Sequence, residues 1–317
     1  MEPSPSPAIL TENLCKDFGR TRAVNGLNLK IEKGELFGLI GPDGAGKTTT
    51  MRILAGILSP SSGNAFIDGI SVREDRDTIK EHLAYMPQRF GLYQDLTVLE
   101  NLLFYADLFG VPKKLRVQRL EQLFSFSRLG PFSNRLAGAL SGGMKQKLGL
   151  TCALIHSPQV LLLDEPTNGV DPVSRRDFWK ILHDLLKEGI TMLVSTAYLD
   201  EAERTTRTAF MRDGSIIESG TPKHLKSTVN GIVLEIVPSD VKVAKSILTK
   251  DNKILDVNVF GDSLHVRVGK ESDQNHVIQI MDNAKIGIKS FRRVDPSMED
   301  VFLSVISNQV NHPSHHT

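Results

Sequence analysis

Residues 41–49 read GPDGAGKTT, and this stretch restricts the possible folds of the chain more than any other. Gly41, Gly46, Lys47 and Thr48 occupy the fixed positions of the pattern G-x-x-x-x-G-K-[ST], with Pro42, Asp43, Gly44 and Ala45 as the spacer and Thr49 just after it. An apolar run, ELFGLI, comes before the loop. MRILAGIL, with helical spacing, comes after it. Strand, glycine-rich loop and helix in that order make a nest of backbone N–H groups at a helix N-terminus, suited to phosphate oxygens. Lys47 can reach the β- and γ-phosphates of a nucleotide, and the Thr48 hydroxyl can ligate Mg²⁺. The bland alternative is a glycine-rich turn before a structural helix. Four fixed positions would coincide in about one per cent of chains this long, and the strand and helix on either side weigh further against the alternative.

A second apolar run ends in acids. Leu161-Leu-Leu-Asp164-Glu165 reads as a buried strand closing on two carboxylates. Alone, such a pair is often a helix cap. Beside a phosphate loop, Asp164 is the expected partner of Mg²⁺. Glu165 can then polarise an attacking water, as phosphoryl transfer requires. Gln88, in YMPQRFGLY, ends another apolar run and could coordinate Mg²⁺ or orient water.

Composition fits a soluble globular protein: 40% hydrophobic, 24% charged, net charge +1. That balance provides no field for nucleic acid. Cys15 and Cys152 are the only cysteines, too few for a disulfide framework. No run approaches the roughly 18 apolar residues of a membrane helix. The start, MEPSPSPAIL, has no secretory character. Residues 1–7 read as a disordered lead. The end, residues 309–317 with three histidines in NHPSHHT, reads as a frayed tail.

Short β-branched runs fill 8–75, and SPSSG at 59–63 reads as the end of the helix after the phosphate loop. LTVLENLLFYADLF and LRVQRLEQLFSFSRL have helical spacing, so 95–158 reads as a helical subdomain. A β/α rhythm returns from 159. Near Asn230 the pattern changes to strand, helix, a hairpin at Gly261-Asp262, helix and strand. That order predicts a small βαββαβ, ferredoxin-like domain over 229–308, with its boundary at about 228–231.

Leu140-Ser141-Gly142-Gly143-Met-Lys-Gln146 opens a helix and is a second candidate anion-binding N-terminus. One nucleotide has no use for two such ends unless two protomers share it. Together with the phosphate loop, Gln88, LLLDEP and NGVD in this order, the sequence resembles the ATP-binding subunits of ABC transporters over residues 8–225. FGLYQDLTVLENL, GMKQKLGL and the ending PSMEDVFL are similar to ABC-2-type drug exporters, in particular the amino-terminal half of bacterial tandem-ATPase exporters. The resemblance implies an α/β fold: a P-loop ABC ATPase core over 8–228 with an antiparallel β subdomain and a helical signature subdomain, then the small C-terminal domain. It implies a head-to-tail dimer of ATPase domains, homomeric or heteromeric, with ATP and Mg²⁺ between them. Ser141, Gly142 and Gly143 would cap the γ-phosphate held at the partner's phosphate loop. Phe18 matches the aromatic that stacks on adenine, although a lone phenylalanine there also reads as core. Asp171 matches the loop coupling the two sites. Residues 90–93, FGLY, match the surface that touches the membrane subunit. The implied partners are separate transmembrane permease subunits and a second ATPase domain, with no nucleic acid. The implied place is the cytoplasmic face of the inner membrane.

One position departs from the pattern. ITMLVST reads as a strand whose carboxyl end is a place for functional side chains. The resembled family has a histidine there, contacting the γ-phosphate and helping to hold water and the base. This chain has Ala197. The alanine is either a natural loss, paired with an ATPase domain that keeps its histidine, or a substitution introduced to trap ATP. The expected activity is Mg-dependent ATP hydrolysis that powers export, with weak turnover. The alternatives are a regulatory ATP-binding module with little hydrolysis, and a non-transport ABC protein acting on translation or DNA, which would carry two ATPase domains or a long coiled coil.

Overall fold

The apolar runs beside the phosphate loop fold as strands covered on both faces. In the computed structural model, which describes residues 6–311, β1 (Ile9–Phe18) and β2 (Thr21–Ile31) form an antiparallel pair. β3 (Leu36–Ile40) leads into the phosphate loop, and α1 (Lys47–Leu54) leaves it. Next come β4 (Ser62–Ile67), β5 (Ile70–Ser71), α2 (Arg76–His82) and β6 (Leu83–Met86). Three helices follow: α3 (Val98–Leu108), α4 (Lys113–Ser127) and α5 (Gly142–Ala153). The chain then alternates through β7 (Val160–Asp164), α6 (Pro172–Lys187) and β8 (Thr191–Thr196), and continues with β9 (Arg207–Arg212) and β10 (Ser215–Gly220).

These elements make two sheets. One is antiparallel, in the order β2-β1-β4-β5. The other is six-stranded, in the order β10-β9-β3-β8-β7-β6, with parallel pairing between β9, β3, β8, β7 and β6. Its central strands β3, β8 and β7 are buried at every position, with neighbouring residues burying to opposite faces. Val160, Leu162 and Leu193 pack with β1, β2 and α1, whereas Leu161, Leu163, Met192 and Val194 pack with α5 and α6. Each fully buried leucine contributes roughly 1.5–3 kcal/mol. The carboxyl ends of β3, β7 and β8 are thereby fixed side by side.

The helix after the loop is shorter than its sequence suggests. It stops at Leu54, not at SPSSG. Gly56 takes φ +69°, and the N–H groups of Ile57 and Leu58 turn back to Arg52 O at 2.9 and 3.0 Å. A left-handed glycine closing the last turn in this way is a common helix stop. The helical segment at 95–158 contains α3, α4 and α5. The first of these opens with a Thr97–Glu100 capping box.

A second unit begins at Gly220. It contains α7 (Pro222–Ser227), β11 (Ile232–Pro238), α8 (Val241–Leu248), β12 (Ile254–Phe260), β13 (Ser263–Val268), α9 (Asp273–Asn283), β14 (Ile288–Val294) and α10 (Met298–Asn311). Its sheet is antiparallel, in the order β12-β13-β11-β14. The elements from β11 to β14 follow the βαββαβ order read from sequence. The sequence boundary at about 228–231 differs from the structural one, between Ser219 and Gly220. The reason is α7, which packs on α10 and so belongs with the second unit. Helix α10 also continues through Asn311, so residues 309–311 are helical and not part of a frayed tail. Ser297 caps it together with Asp300, whose carboxylate also meets His265 Nδ1 at 2.9 Å. Burial disfavours that carboxylate, but the hydrogen bonds from His265 and Ser297 outweigh it and hold its pKa below the usual range. The rest of the sequence-predicted lead and tail, residues 1–5 and 312–317, lies outside the described residues. No helix among the described residues is long and apolar enough to cross a membrane.

Candidate active site

The phosphate loop owes its shape to its neighbours as well as to its own glycines. Gly46 has φ +104°, and a Cβ there would stand 2.3 Å from Ala23 O. A Cβ on Gly41 would stand 2.1 Å from Met211 O. These close approaches let the backbone curl over the start of α1, whose first turn has no side-chain cap. Its free N–H groups are therefore open to an anion. Lys47 is 4% exposed, and its Nζ donates to Gly41 O at 2.8 Å and Pro42 O at 3.0 Å.

The acid pair sits across from the loop. β7 ends at Asp164, and Glu165 turns away with φ +49°, a strained conformation for a non-glycine residue. Its N–H lies 3.1 Å from both Ser195 O and Ser195 Oγ. Asp164 Oδ1 accepts from Ser195 Oγ at 2.7 Å and from Thr48 Oγ1 at 3.0 Å. Its Oδ2 accepts from Tyr85 OH at 3.2 Å. Burial, and then the nearby Asp164 carboxylate, push the Tyr85 phenol up to about 12, so it remains a proton donor at neutral pH. Glu165 Oε1 lies 3.2 Å from Lys47 Nζ. Its Oε2 accepts from Gln88 Nε2 at 3.0 Å and Asn168 Nδ2 at 3.2 Å.

Lys47, Thr48, Asp164, Glu165 and Gln88 thus converge, although they lie far apart in sequence. Lys47, Thr48, Gln88 and Glu165 border a cleft of about 540 Å³, also lined by Phe18, Ala23, Asp43 to Gly46, Thr49 and Asn168; Asp164 is buried and meets this lining through Thr48. Phe18 is 48% exposed and so is not a core residue; Lys16 Nζ sits 5.1 Å from its ring centroid. An exposed ring at the rim of a polar cleft is chemically suited to stacking on a flat base. The oxygen donors of Thr48 and Asp164, 3.0 Å apart, fit a hard cation such as Mg²⁺. Among the described residues no group of three or more His, Cys, Asp or Glu side chains could hold a metal. A cation at this cleft would therefore draw much of its shell from phosphate and water, as Mg²⁺ does.

Other sequence candidates stand apart from the cleft lining. Leu140 is buried, and Ser141 caps α5 by accepting from Met144 N at 3.3 Å. The two glycines that follow differ. A Cβ on Gly143 would collide with Ser174 at 2.4 Å, whereas one on Gly142 would meet nothing within 4 Å. Packing within this chain therefore explains Gly143 and leaves Gly142 unexplained. Gln146 is half-buried on α5. Asp171 caps α6 by accepting from Val173 N and Ser174 N, and the Ser174 bonds hold its carboxyl below the usual range. In the FGLY stretch, Tyr105 OH donates to Gly91 O at 2.8 Å, Phe90 is partly buried, and Tyr93 is 48% exposed. Ala197 is exposed directly beyond β8, and Gly41 N–H donates to Thr196 O at 3.2 Å.

Comparison with known proteins places this geometry in a family. The ABC transporter family model matches residues 24–168, across the phosphate loop, the signature helix and the acid pair. A second model, the C-terminal domain of DrrA1-3-like ATP-binding proteins, matches 220–306. The daunorubicin/doxorubicin resistance ATP-binding protein DrrA of Streptomyces peucetius is 33% identical over 313 residues, covering 96% of this chain and 94% of that protein. The chain belongs to the ABC transporter ATP-binding proteins. It is also 43% identical over 287 residues to YbhF of Escherichia coli, a probable multidrug ABC transporter ATP-binding protein, covering 90% of this chain but 49% of that one. The chain therefore spans about half the length of that relative. Among solved structures, an ABC transporter cassette in its ADP conformation aligns with TM-score 0.63 at 27% identity, covering 69% of this chain and 92% of the other. A bacterial ABC transporter cassette solved as a dimer aligns with TM-score 0.61 at 27% identity, over 67% and 98%.

For an ABC ATP-binding chain, the sequence motifs omit several side chains that shape the cleft. Ser195 and Tyr85 touch Asp164 without standing at a fixed motif position, and Asn168 opens the NGVD stretch, which does not itself show that Asn168 donates to Glu165. The only signal for Ser195 is a polar residue within an apolar strand. Its partner becomes visible only through the parallel register that sets Asp164 opposite Ser195.

Proposed function

We propose that this chain binds Mg-ATP in the cleft, pairs head to tail with a second ATPase domain, and hydrolyses ATP to power export by separate membrane-spanning subunits. The convergence of Lys47, Thr48 and Glu165 on one cleft, with Asp164 hydrogen-bonded to Thr48, supports this reading most strongly. Phosphate oxygens lie against the loop N–H groups and draw Lys47 from Glu165, because a phosphate offers more charge than one carboxylate. Glu165 Oε1 is then released to accept a proton from water, while Gln88 and Asn168 keep Oε2 in place. Thr48 and Asp164 would hold Mg²⁺, which would supply neutralising charge for the triphosphate. Phe18 stacks on the adenine. Ser141 and Gly142 reach the nucleotide of the partner, which accounts for a glycine with open space beside it.

Ala197 lies beside the loop but offers no hydrogen bond or charge to the γ-phosphate. Binding is retained because the loop and Asp164 are intact, and turnover is weak. With Lys47, Asp164 and Glu165 all present, hydrolysis fits better than a purely regulatory module. The names of relatives support a role in export, since one is a bacitracin transport ATP-binding protein and others are Nod factor export ATP-binding proteins. The working place is then the cytoplasmic face of the membrane, beside a permease. Two measurements test the proposal: ATP binding and steady-state hydrolysis by the purified chain, and its co-purification with a polytopic membrane protein. A chain that binds no ATP, or that purifies from its own cells with no membrane protein, would contradict it.

A further inference from the structure

The loop after β7 and the segment after β8 are joined by a buried carboxylate that the reaction scheme does not use. Glu201 lies on the short 3₁₀ turn Leu199–Arg204 and is 0% exposed. Its Oε1 accepts from Thr167 Oγ1 at 2.7 Å and Trp179 Nε1 at 3.0 Å. Arg175 Nε lies 3.7 Å from the same oxygen, beyond hydrogen-bond length, and the Arg175 guanidinium stacks on Tyr198 at 4.0 Å. Neither Glu201 Oε2 nor Arg175 Nε has a hydrogen-bond partner.

Stability is a poor reason for this arrangement. A buried carboxylate with one unpaired oxygen and an imperfect ion pair offsets its desolvation only in part, and well-packed apolar groups often do better. What the carboxylate does supply is geometry. Thr167 stands two residues after Glu165, and Asn168 next to it donates to Glu165 Oε2. Tyr198 directly follows Ala197. A single side chain therefore ties the loop carrying Glu165 both to α6 and to the strand end beside the phosphate loop.

We propose that Glu201 is a positioning residue: through Thr167 it fixes the loop that aims Glu165, and through Arg175 and Tyr198 it sets that loop against the strand end at Ala197. The inference rests on the reading of Glu165 as the base. With alanine at 197, the tether holds Glu165 from behind, where no side chain at the strand end contributes. A misplacement of about 1 Å at a reacting group can lower a rate on the order of 100-fold, so even partial loosening of this loop is measurable.

Thr167→Val tests the tether with little change of volume at a site that is 1% exposed. It should lower kcat about tenfold while KM for ATP stays within about twofold. Thr167→Ser, which restores the hydroxyl, should recover most of the rate. Trp179→Phe removes the other donor and leaves the loop tied, so it should lower the melting temperature with a smaller loss of kcat than Thr167→Val. A folded Thr167→Val at the wild-type rate would overturn the proposal, as would Thr167→Ser as damaged as Thr167→Val. Hydrogen exchange separates this inference from the reading it rests on. In the ATP-bound full chain, Thr167→Val should speed exchange about threefold or more in both 165–171 and 197–204. If wild type and Glu165→Gln hydrolyse alike, the base assignment fails and exchange alone decides the tether. Unchanged exchange in both segments overturns it.

Discussion

Two neighbouring strand ends in the ATPase unit are placed alike and equipped differently. β3 and β8 are parallel partners, with Ile40 opposite Thr196, and Gly41 N–H reaches Thr196 O at 3.2 Å. Beyond Ile40 the chain delivers a curled loop, free N–H groups, Lys47 and Thr48. Beyond Thr196 it delivers Ala197, exposed and without a polar group. Location and chemistry are thus separable. Sheet register decides where a side chain could act on a phosphate, whatever residue stands there. On the proposed reading, the β3 end carries what binding needs, and the β8 end offers no side chain to act on the γ-phosphate.

If that division is right, removing chemistry from the β3 side should hurt most. Lys47→Ala takes away the one fixed cation of the loop. It should abolish measurable hydrolysis and lower ATP affinity at least about tenfold, as read by calorimetric titration and phosphate release. Affinity and turnover equal to wild type would show that the loop is not the site. Glu165→Gln should sharpen the line between binding and chemistry. ATP affinity should stay within a few-fold, hydrolysis should fall roughly 10²–10⁴-fold, and an ATP-dependent dimer should appear on size exclusion. Wild-type hydrolysis in this variant would remove Glu165 from its role.

The next prediction moves the comparison across two chains. In an equimolar mixture of Ser141→Arg and Lys47→Ala, a mixed dimer has one composite site carrying both defects and one intact site. Turnover should return to about a quarter of wild type if chains pair at random and sites act independently. No recovery in proven mixed dimers would contradict the head-to-tail arrangement.

The two strand ends are not equally legible in the sequence. The phosphate loop is local: glycines, lysine and threonine lie within nine residues, and their spacing announces the backbone nest even though the close approaches of Ala23 and Met211 help to shape it. The acid pair is legible because it closes an apolar run. Its partners are not. Ser195 and Tyr85 meet Asp164 through sheet register, and Asn168 meets Glu165 through a turn with positive φ that has no glycine to announce it. Helix α1 looks too long in the sequence because apolar spacing continues past Gly56, whose left-handed turn ends it. The sequence boundary near 228–231 falls too late because α7 is polar and short, and its membership is settled by packing on α10. Glu201 gives no signal, since an acid in LDEAE reads as surface.

The smallest predicted effect bears most directly on the two strand ends. Ala197→His would place a donor at the β8 end and leave the β3 end untouched. ATP turnover of the purified chain should be measured at saturating Mg-ATP, with ATP affinity and melting temperature as controls. A positioned donor acting on the transition state is worth roughly 10²–10³ in rate, and a histidine set into an unadapted site should recover at least about threefold. That rise, with affinity little changed, is the expected outcome. An equal or lower rate in a folded, ATP-binding Ala197→His chain would mean that the site has adapted to alanine and that the β8 end is not an empty catalytic position.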